Sequence, residues 1–133
     1  MFWMPLISGA VLGGATIALT EIGGVIRQRG TWATTMVAIA SFYVVFAIQT
    51  GDTLEIIVHS GLAAGFVILA VIGARKSSWL LAAALLGHGI FDISIGSVLS
   101  NPAPNWWRPF CLGIDVVLAL GLAVMLRRGQ ALD

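Results

Sequence analysis

The chain has 133 residues, of which 59% are hydrophobic and only 10% are charged, and its formal net charge is +1. A soluble domain carries roughly 25% charged residues, so this composition excludes a water-soluble core and indicates a one-domain integral membrane protein. The small net charge gives no indication of a nucleic-acid partner, and the single cysteine, Cys111, excludes an intrachain disulfide.

Five apolar segments follow one another, each long enough, or nearly so, to cross a hydrocarbon core of about 30 Å. We place them at residues 5–26, 31–50, 53–74, 78–99 and 110–126. No basic residue precedes the first segment, which favours a retained span over a cleaved signal peptide. The connector 101–105 contains two prolines and cannot be helical. The sequence therefore predicts an all-α bundle of five transmembrane helices.

The distribution of basic residues predicts the orientation of this bundle. Of seven Lys and Arg residues, six lie in one alternating set of connecting segments, and only Arg108 lies in the other. By the positive-inside rule, we expect the N-terminus outside and the C-terminus in the cytoplasm. Trp3, Trp106 and Trp107 would then lie at the outer interface, where aromatic belt residues are enriched.

Small residues at four-residue spacing predict where helices approach closely. Gly9 and Gly13 form such a pair in the first span, and Gly61 and Gly65 form one in the third. Pairs of this kind allow close backbone contact between membrane helices. We interpret both as packing positions within the bundle, with contact in a homo-oligomer as the alternative.

Ionisable side chains inside the predicted spans are the most informative feature for function. A carboxylate near the centre of a membrane helix costs roughly 2.5–3.5 kcal/mol on insertion scales, so such residues face a bundle interior. At a rise of 1.5 Å per residue, four of them lie roughly 3–10 Å below the outer ends of their spans, and His88 lies roughly 16 Å deep. The set consists of Glu55, His59, His88, Asp92 and Asp115.

In the third span, and again in the fourth, two of these ionisable residues lie on the same face of the helix. Glu55 and His59 are four residues apart, and so are His88 and Asp92, which places each pair on one side of its helix. We expect the third, fourth and fifth helices to bring these pairs together in one layer. The alternatives are that Glu55 is solvated at the interface and that each pair is a structural hydrogen bond.

The fifth span contributes Asp115, with Cys111 one turn before it and Arg108 two turns before it. Asp115 belongs to the expected site, although an ion pair with Arg108 is the alternative. We interpret Cys111 as a small packing residue rather than a nucleophile.

The sequence predicts a polar pocket that opens to the non-cytoplasmic side. The proline-rich connector is expected to cover this pocket with polar and aromatic residues, namely Asn101, Asn105, Trp106, Trp107 and Arg108. Further walls are expected from Ile90, Phe91 and Phe66. We therefore expect Trp106, Trp107, Asn101, Arg108, Phe91 and Phe66 to bind the substrate.

Acid–base chemistry on a lipophilic, isoprenoid-like small molecule is the function that this pattern favours. Burial favours the neutral forms of carboxylic acids and imidazoles, so one group can donate a proton while another accepts it. Alkene isomerisation, polyene cyclisation or epoxide opening needs such a pair beside an apolar cavity, where aromatic faces stabilise a developing cation. The predicted catalytic residues are Asp92, Asp115, His88, His59 and Glu55.

From the sequence alone, three alternatives to an acid–base enzyme remain open. Two imidazoles and up to three carboxylates could complete a divalent metal site, but the spacing lacks the Glu-x-x-His pattern of di-iron bundles. A depth difference of roughly 7 Å between His59 and His88 disfavours a bis-His haem. We therefore assign no metal ligand and no cofactor.

A proton- or cation-conducting oligomer would need more polar residues than Glu21 in the inner half of the membrane. A lipid-binding accessory protein is the third alternative.

Short motifs in the last third of the chain are similar in type and order to those of a known family. His88 and Asp92 form His-x3-Asp, Asn101 begins Asn-Pro, and Cys111 and Asp115 form Cys-x3-Asp. This order resembles a family of small bacterial polytopic membrane proteins of unknown function. The resemblance implies a compact helical bundle in a bacterial inner membrane, surrounded by lipid. It implies no activity.

Overall fold

The computed structural model describes all 133 residues and is entirely helical. Every helix is long and apolar enough to cross a membrane. The prediction of a five-helix membrane bundle is therefore confirmed, and the chain is a multi-pass membrane protein. The helices are α1 (Trp3–Ile22), α2 (Arg29–Thr50), α3 (Thr53–Lys76), α4 (Ser78–Val98) and α5 (Trp107–Arg127).

Local chemistry explains where the helices begin and end. α1 stops four residues before the predicted boundary because Gly24 adopts a left-handed conformation, with φ of +71°, and turns the chain. α3 begins at a cap, since the Asp52 carboxylate accepts hydrogen bonds from the backbone N–H groups of Leu54 and Glu55. α5 begins three residues earlier than predicted, because Pro109 lies in the first turn, where no backbone donor is needed.

Close backbone contact holds α1 against α5. A Cβ at Gly9 would overlap the carbonyl oxygen of Phe110, and a Cβ at Gly113 would overlap that of Leu6. A Cβ at Gly13 would lie 3.1 Å from Cβ of Val117. Only glycine fits at such a crossing, so the prediction that Gly9 and Gly13 mediate packing is confirmed.

The second glycine pair has no such role. A Cβ at Gly61 or at Gly65 would meet no atom within 4 Å, so the prediction that this pair packs inside the bundle is wrong. α3 packs instead on α2 and α4 through other faces. Gly61 and Gly65 line a shallow groove of about 440 Å³ on the outer surface of the bundle, beside Phe66.

α5 and α4 form the centre of the bundle. α5 packs on both α1 and α4, whereas α1 and α2 are neighbours in sequence but are separated by a groove of about 630 Å³. Threonine side chains line much of this groove, among them Thr16, Thr31, Thr34 and Thr35. The pairing of α4 with α5 brings the two helices that carry the buried aspartates face to face.

The basic connecting segments meet at one end of the bundle. The backbone N–H of Asp133 donates to the carbonyl oxygen of Arg27, and the guanidinium of Arg29 donates to the carbonyl oxygen of Ala74. This end therefore collects the C-terminus, the α1–α2 turn and the end of α3. The buried ionisable side chains lie toward the opposite end.

Candidate intramembrane acid–base cluster

His88 lies between two carboxylates in the interior of the bundle. Its Nδ1 donates a hydrogen bond of 2.8 Å to Oδ2 of Asp115 and lies 3.4 Å from Oδ2 of Asp92. Asp92 is one turn further along α4, whereas Asp115 reaches the ring from α5. Gly89 permits this approach, since a Cβ there would lie 3.2 Å from Cβ of Asp115. The three side chains are at most 1% exposed.

The two aspartates have almost no other polar partners. Neither oxygen of Asp92 forms a hydrogen bond, and Oδ1 of Asp115 forms none. All ion pairs of the chain involve a histidine, so no Lys or Arg side chain is paired with either carboxylate. A buried carboxylate in this state is costly unless it is neutral or matched by a cation.

Arg108 does not neutralise the cluster. Its Nε donates to the backbone carbonyl oxygen of Asp92 at 3.0 Å, and its Nη2 donates to that of Ile93 at 2.6 Å. The guanidinium thus binds backbone carbonyls in the C-terminal part of α4. The alternative of an ion pair between Arg108 and Asp115 is therefore not formed.

Cys111 belongs to the cluster, although the sequence-based interpretation treated it as a packing residue. Its Sγ lies 4.0 Å from Oδ2 of Asp115, and the side chain is buried. One ligand atom from each of His88, Asp92, Cys111 and Asp115 lies within 4.8 Å of the others. The i,i+4 spacing of Cys111 and Asp115 was the available signal, but a lone cysteine in an apolar helix is indistinguishable from a packing residue.

A second pair, Glu55 and His59, lies beside the first cluster. His59 Nε2 is 3.2 Å from Oε2 of Glu55 and 3.3 Å from the carbonyl oxygen of Ser100, to which it can donate. The His59 side chain is buried, whereas that of Glu55 is 18% exposed. Glu55 is therefore the one member of the predicted catalytic set that reaches the surface of the bundle.

Tyr43 connects the two groups. Its ring stacks on His59 with 5.7 Å between centroids and meets the edge of His88 at 6.2 Å. The hydroxyl is buried and has no hydrogen-bond partner. Sequence reasoning missed this residue, although it is the only tyrosine in the chain and lies in the middle of α2.

Aromatic rings enclose the rest of His88. Phe66 meets the imidazole edge-on at 4.8 Å between centroids, and Phe91 lies at 5.7 Å. Both were predicted as walls of the site, and the structure places them beside the cluster. Ile90 is 55% exposed and points away from the cluster, so its predicted place in the wall is wrong.

The proline-rich connector does not cover the cluster as expected. Trp107 packs on Phe42 and Phe46, Trp106 is largely exposed, and the Asn101 side chain accepts a hydrogen bond from the backbone N–H of Ala103. Asn105 and Arg108 line a separate surface groove of about 400 Å³ with Phe2, Ile93 and Pro109. These residues lie near the predicted site without contacting the carboxylates.

The cluster is closed in this structure. His59, His88, Asp92 and Asp115 are each at most 1% exposed, so the expectation of an open polar pocket is wrong for the conformation described. One groove with apolar walls lies beside Gly61 and Gly65. Phe66 forms part of its wall and also contacts His88, so a single aromatic ring separates this groove from the imidazole.

No family model, curated protein or solved structure matches the chain. The chemistry of the cluster is therefore the basis for a functional interpretation. An imidazole between two carboxylates offers a proton donor and a proton acceptor within one hydrogen-bonded group. The same atoms are also of the types that bind divalent metal ions.

Proposed function

We propose that the protein is a membrane-embedded enzyme that uses acid–base chemistry on a lipophilic, isoprenoid-like substrate, with an isomerisation or cyclisation as its reaction. The observation that carries this proposal is the position of His88 Nδ1, 2.8 Å from Asp115 and 3.4 Å from Asp92. The proposed location is a bacterial inner membrane, as the resemblance of the short motifs implies, and the positive-inside rule puts the cluster nearer the outer leaflet.

The unequal surroundings of the two carboxylates support distinct roles. Asp115 accepts the hydrogen bond from His88, whereas neither oxygen of Asp92 forms a hydrogen bond and Oδ2 lies 3.4 Å from His88 Nδ1. The carboxyl group of Asp92 is not held by a hydrogen bond and is free to turn toward a substrate. Asp92 is therefore the proposed acid, and the His88–Asp115 pair is the proposed proton acceptor.

The aromatic residues around His88 suit a substrate that develops positive charge. Protonation of an alkene or an epoxide produces carbocation character, and the faces of aromatic rings attract cations. Tyr43, Phe66 and Phe91 supply three such rings within 6.2 Å of the imidazole centroid. An apolar chain in the groove beside Phe66 would reach the cluster if that ring moved aside.

The Glu55–His59 pair provides a route for protons to and from the surface. Glu55 is partly exposed, His59 lies beside it, and Tyr43 contacts both imidazoles. A relay across the whole membrane has less support. The interior beyond the cluster, toward the end of the bundle that collects the C-terminus, is filled with apolar side chains: Leu81, Leu85, Leu118 and Leu122.

Incubation of the purified protein with a total lipid extract of its expression host tests this proposal. Isomerisation and cyclisation leave the mass unchanged, so the expected product is a new chromatographic peak with the mass of a lipid that is consumed. We expect Asp92→Asn and His88→Gln to slow this conversion by roughly 100-fold or more, the usual contribution of a positioned acid or base.

Ser94→Ala is a matched control, because Ser94 is exposed on α4 and its hydroxyl donates only to the carbonyl oxygen of Ile90. This variant should convert lipid at the wild-type rate. An absence of any conversion by the wild type, or equal rates in the wild type and the cluster variants, would contradict the proposed function.

A further inference from the structure

We propose that His88, Asp92, Cys111 and Asp115 together bind one divalent transition-metal ion, with Zn²⁺ as the ion that best fits the ligand set. This inference shares its residues with the proposed function, but it depends on ligand geometry and holds whether or not the protein is an enzyme. It also differs from the sequence-based expectation, which assigned no metal ligand and treated Cys111 as packing.

The four side chains bring their ligand atoms close enough together for a tetrahedral site to form after small movements. One ligand atom from each residue lies within 4.8 Å of the other three. Zinc bonds of 2.0–2.3 Å in a tetrahedron place the ligand atoms roughly 3.3–3.8 Å apart, so the widest pair must close by about 1 Å. The 2.8 Å contact between His88 Nδ1 and Asp115 Oδ2 must also open by about 0.5 Å. The Asp92 carboxylate can rotate toward an ion, since no hydrogen bond holds it in place.

The polar atoms of Asp92 are the second observation that points to an ion. Asp92 is fully buried, both of its carboxylate oxygens lack a hydrogen-bond partner, and one of them lies beside His88 Nδ1. Such atoms in a protein interior normally have partners, and a bound ion is one explanation for a set that lacks them. A bound cation would satisfy them along with Oδ1 of Asp115.

Charge balance favours a divalent ion over a single proton. Two carboxylates lie in a region of low dielectric, and the one Arg nearby is engaged with backbone carbonyl oxygens. A protonated histidine offsets at most one negative charge, whereas a dication offsets two of the three carried by the two carboxylates and a Cys111 thiolate. The ion would therefore lower the cost of burying Asp92 and Asp115 together.

The mixture of ligand types determines the choice of ion. Oxygen ligands alone would suit Mg²⁺ or Ca²⁺, but a thiol and an imidazole select borderline ions such as Zn²⁺ or Co²⁺. Cys111 is thus the residue that distinguishes this site from an acidic cluster. With the ion bound, His88 acts as its imidazole ligand.

The test measures metal directly and needs no substrate. The full-length protein is purified in detergent through a tag that does not bind metal, and its zinc content is determined by elemental mass spectrometry. We expect one zinc ion per chain in the wild type. Cys111→Ala and Asp92→Asn should each weaken zinc affinity by roughly tenfold or more, whereas the exposed-surface variant Ser94→Ala should retain wild-type affinity.

Cobalt substitution tests the role of the thiol without relying on the folding of a variant. Co²⁺ added to the metal-free wild type should produce a thiolate-to-cobalt charge-transfer band in the near ultraviolet. This band should be lost in Cys111→Ala. A wild type that binds neither Zn²⁺ nor Co²⁺, or that binds Co²⁺ without the charge-transfer band, would overturn the proposal.

These outcomes are separable from those of the lipid-conversion assay. A protein that binds no metal but converts a lipid in a manner dependent on Asp92 would retain the proposed function and lose the metal site. A protein that binds zinc through Cys111 but converts no lipid would retain the metal site alone.

Discussion

Asp92 and Asp115 have the same side chain and the same burial, but their surroundings differ. Asp115 accepts a hydrogen bond from His88, while both oxygens of Asp92 have none. A buried hydrogen bond to a charged group contributes about 1.5–3 kcal/mol, whereas a buried carboxylate without a partner is a net cost. Loss of the His88–Asp115 hydrogen bond should therefore destabilise the protein, whereas substitution of Asp92 should not.

Thermal unfolding of the metal-free protein in detergent checks this difference. We expect Asp92→Asn to unfold at the wild-type temperature or above it, because the nearly isosteric amide breaks no hydrogen bond of Asp92. His88→Leu should lower the free energy of unfolding by about 1–3 kcal/mol, because it leaves Asp115 without its N–H donor. An equal loss of stability in both variants would mean that Asp92 makes a stabilising contact that the structure lacks.

The crossing of α1 and α5 shows how a helix pair depends on glycine. Gly9 and Gly113 allow the two backbones to touch, so α1, which contributes no ionisable residue to the cluster, is held against the helix that carries Asp115. Without a hydrophobic driving force between helices in lipid, this close packing is a main source of association.

Alanine substitution at two glycines of α1 tests the crossing. A Cβ at Gly9 would overlap the Phe110 carbonyl oxygen, whereas a Cβ at Gly14 meets nothing within 4 Å. We expect Gly9→Ala to lower the free energy of unfolding by about 1–3 kcal/mol through overpacking. Gly14→Ala should be neutral or slightly stabilising, since alanine favours helix.

The helical circular dichroism signal, followed during heating in detergent, measures both variants. Similar midpoints for Gly9→Ala and Gly14→Ala would contradict the tight crossing of α1 and α5.

The two ends of the bundle along the membrane normal differ in the charged residues that they carry. The buried ionisable side chains lie toward one end of the bundle, while the basic connecting segments and the C-terminus lie at the other. Basic segments are retained in the cytoplasm, so this polarity predicts that the cluster lies nearer the outer leaflet.

Reporter fusions in a bacterial host test the orientation. We expect green fluorescent protein fused after Asp133 to fluoresce, because the C-terminus is predicted in the cytoplasm. Alkaline phosphatase fused after Ser100 should be active, because that connector is predicted outside. The reverse pattern would place the cluster nearer the cytoplasmic leaflet and would contradict the proposed outer-leaflet location.

The sequence by itself determined the spans and the depth of each ionisable residue. Hydropathy over about 20 residues and a rise of 1.5 Å per residue are local properties, so no tertiary contact was needed to predict five helices. The i,i+4 spacing also placed His88 and Asp92 on one face, because side-chain direction in a helix repeats locally.

Only the tertiary structure decided which side chains meet across helices. The choice of Asp115 as the hydrogen-bond partner of His88, the inclusion of Tyr43 and Cys111, and the closure around the cluster all depend on how the helices rotate and which of them are neighbours. Backbone contacts at glycines decide that arrangement, and Gly9 and Gly61 occupy the same sequence pattern with opposite outcomes. Depth along a helix is encoded locally, whereas the lateral order of helices is a property of packing.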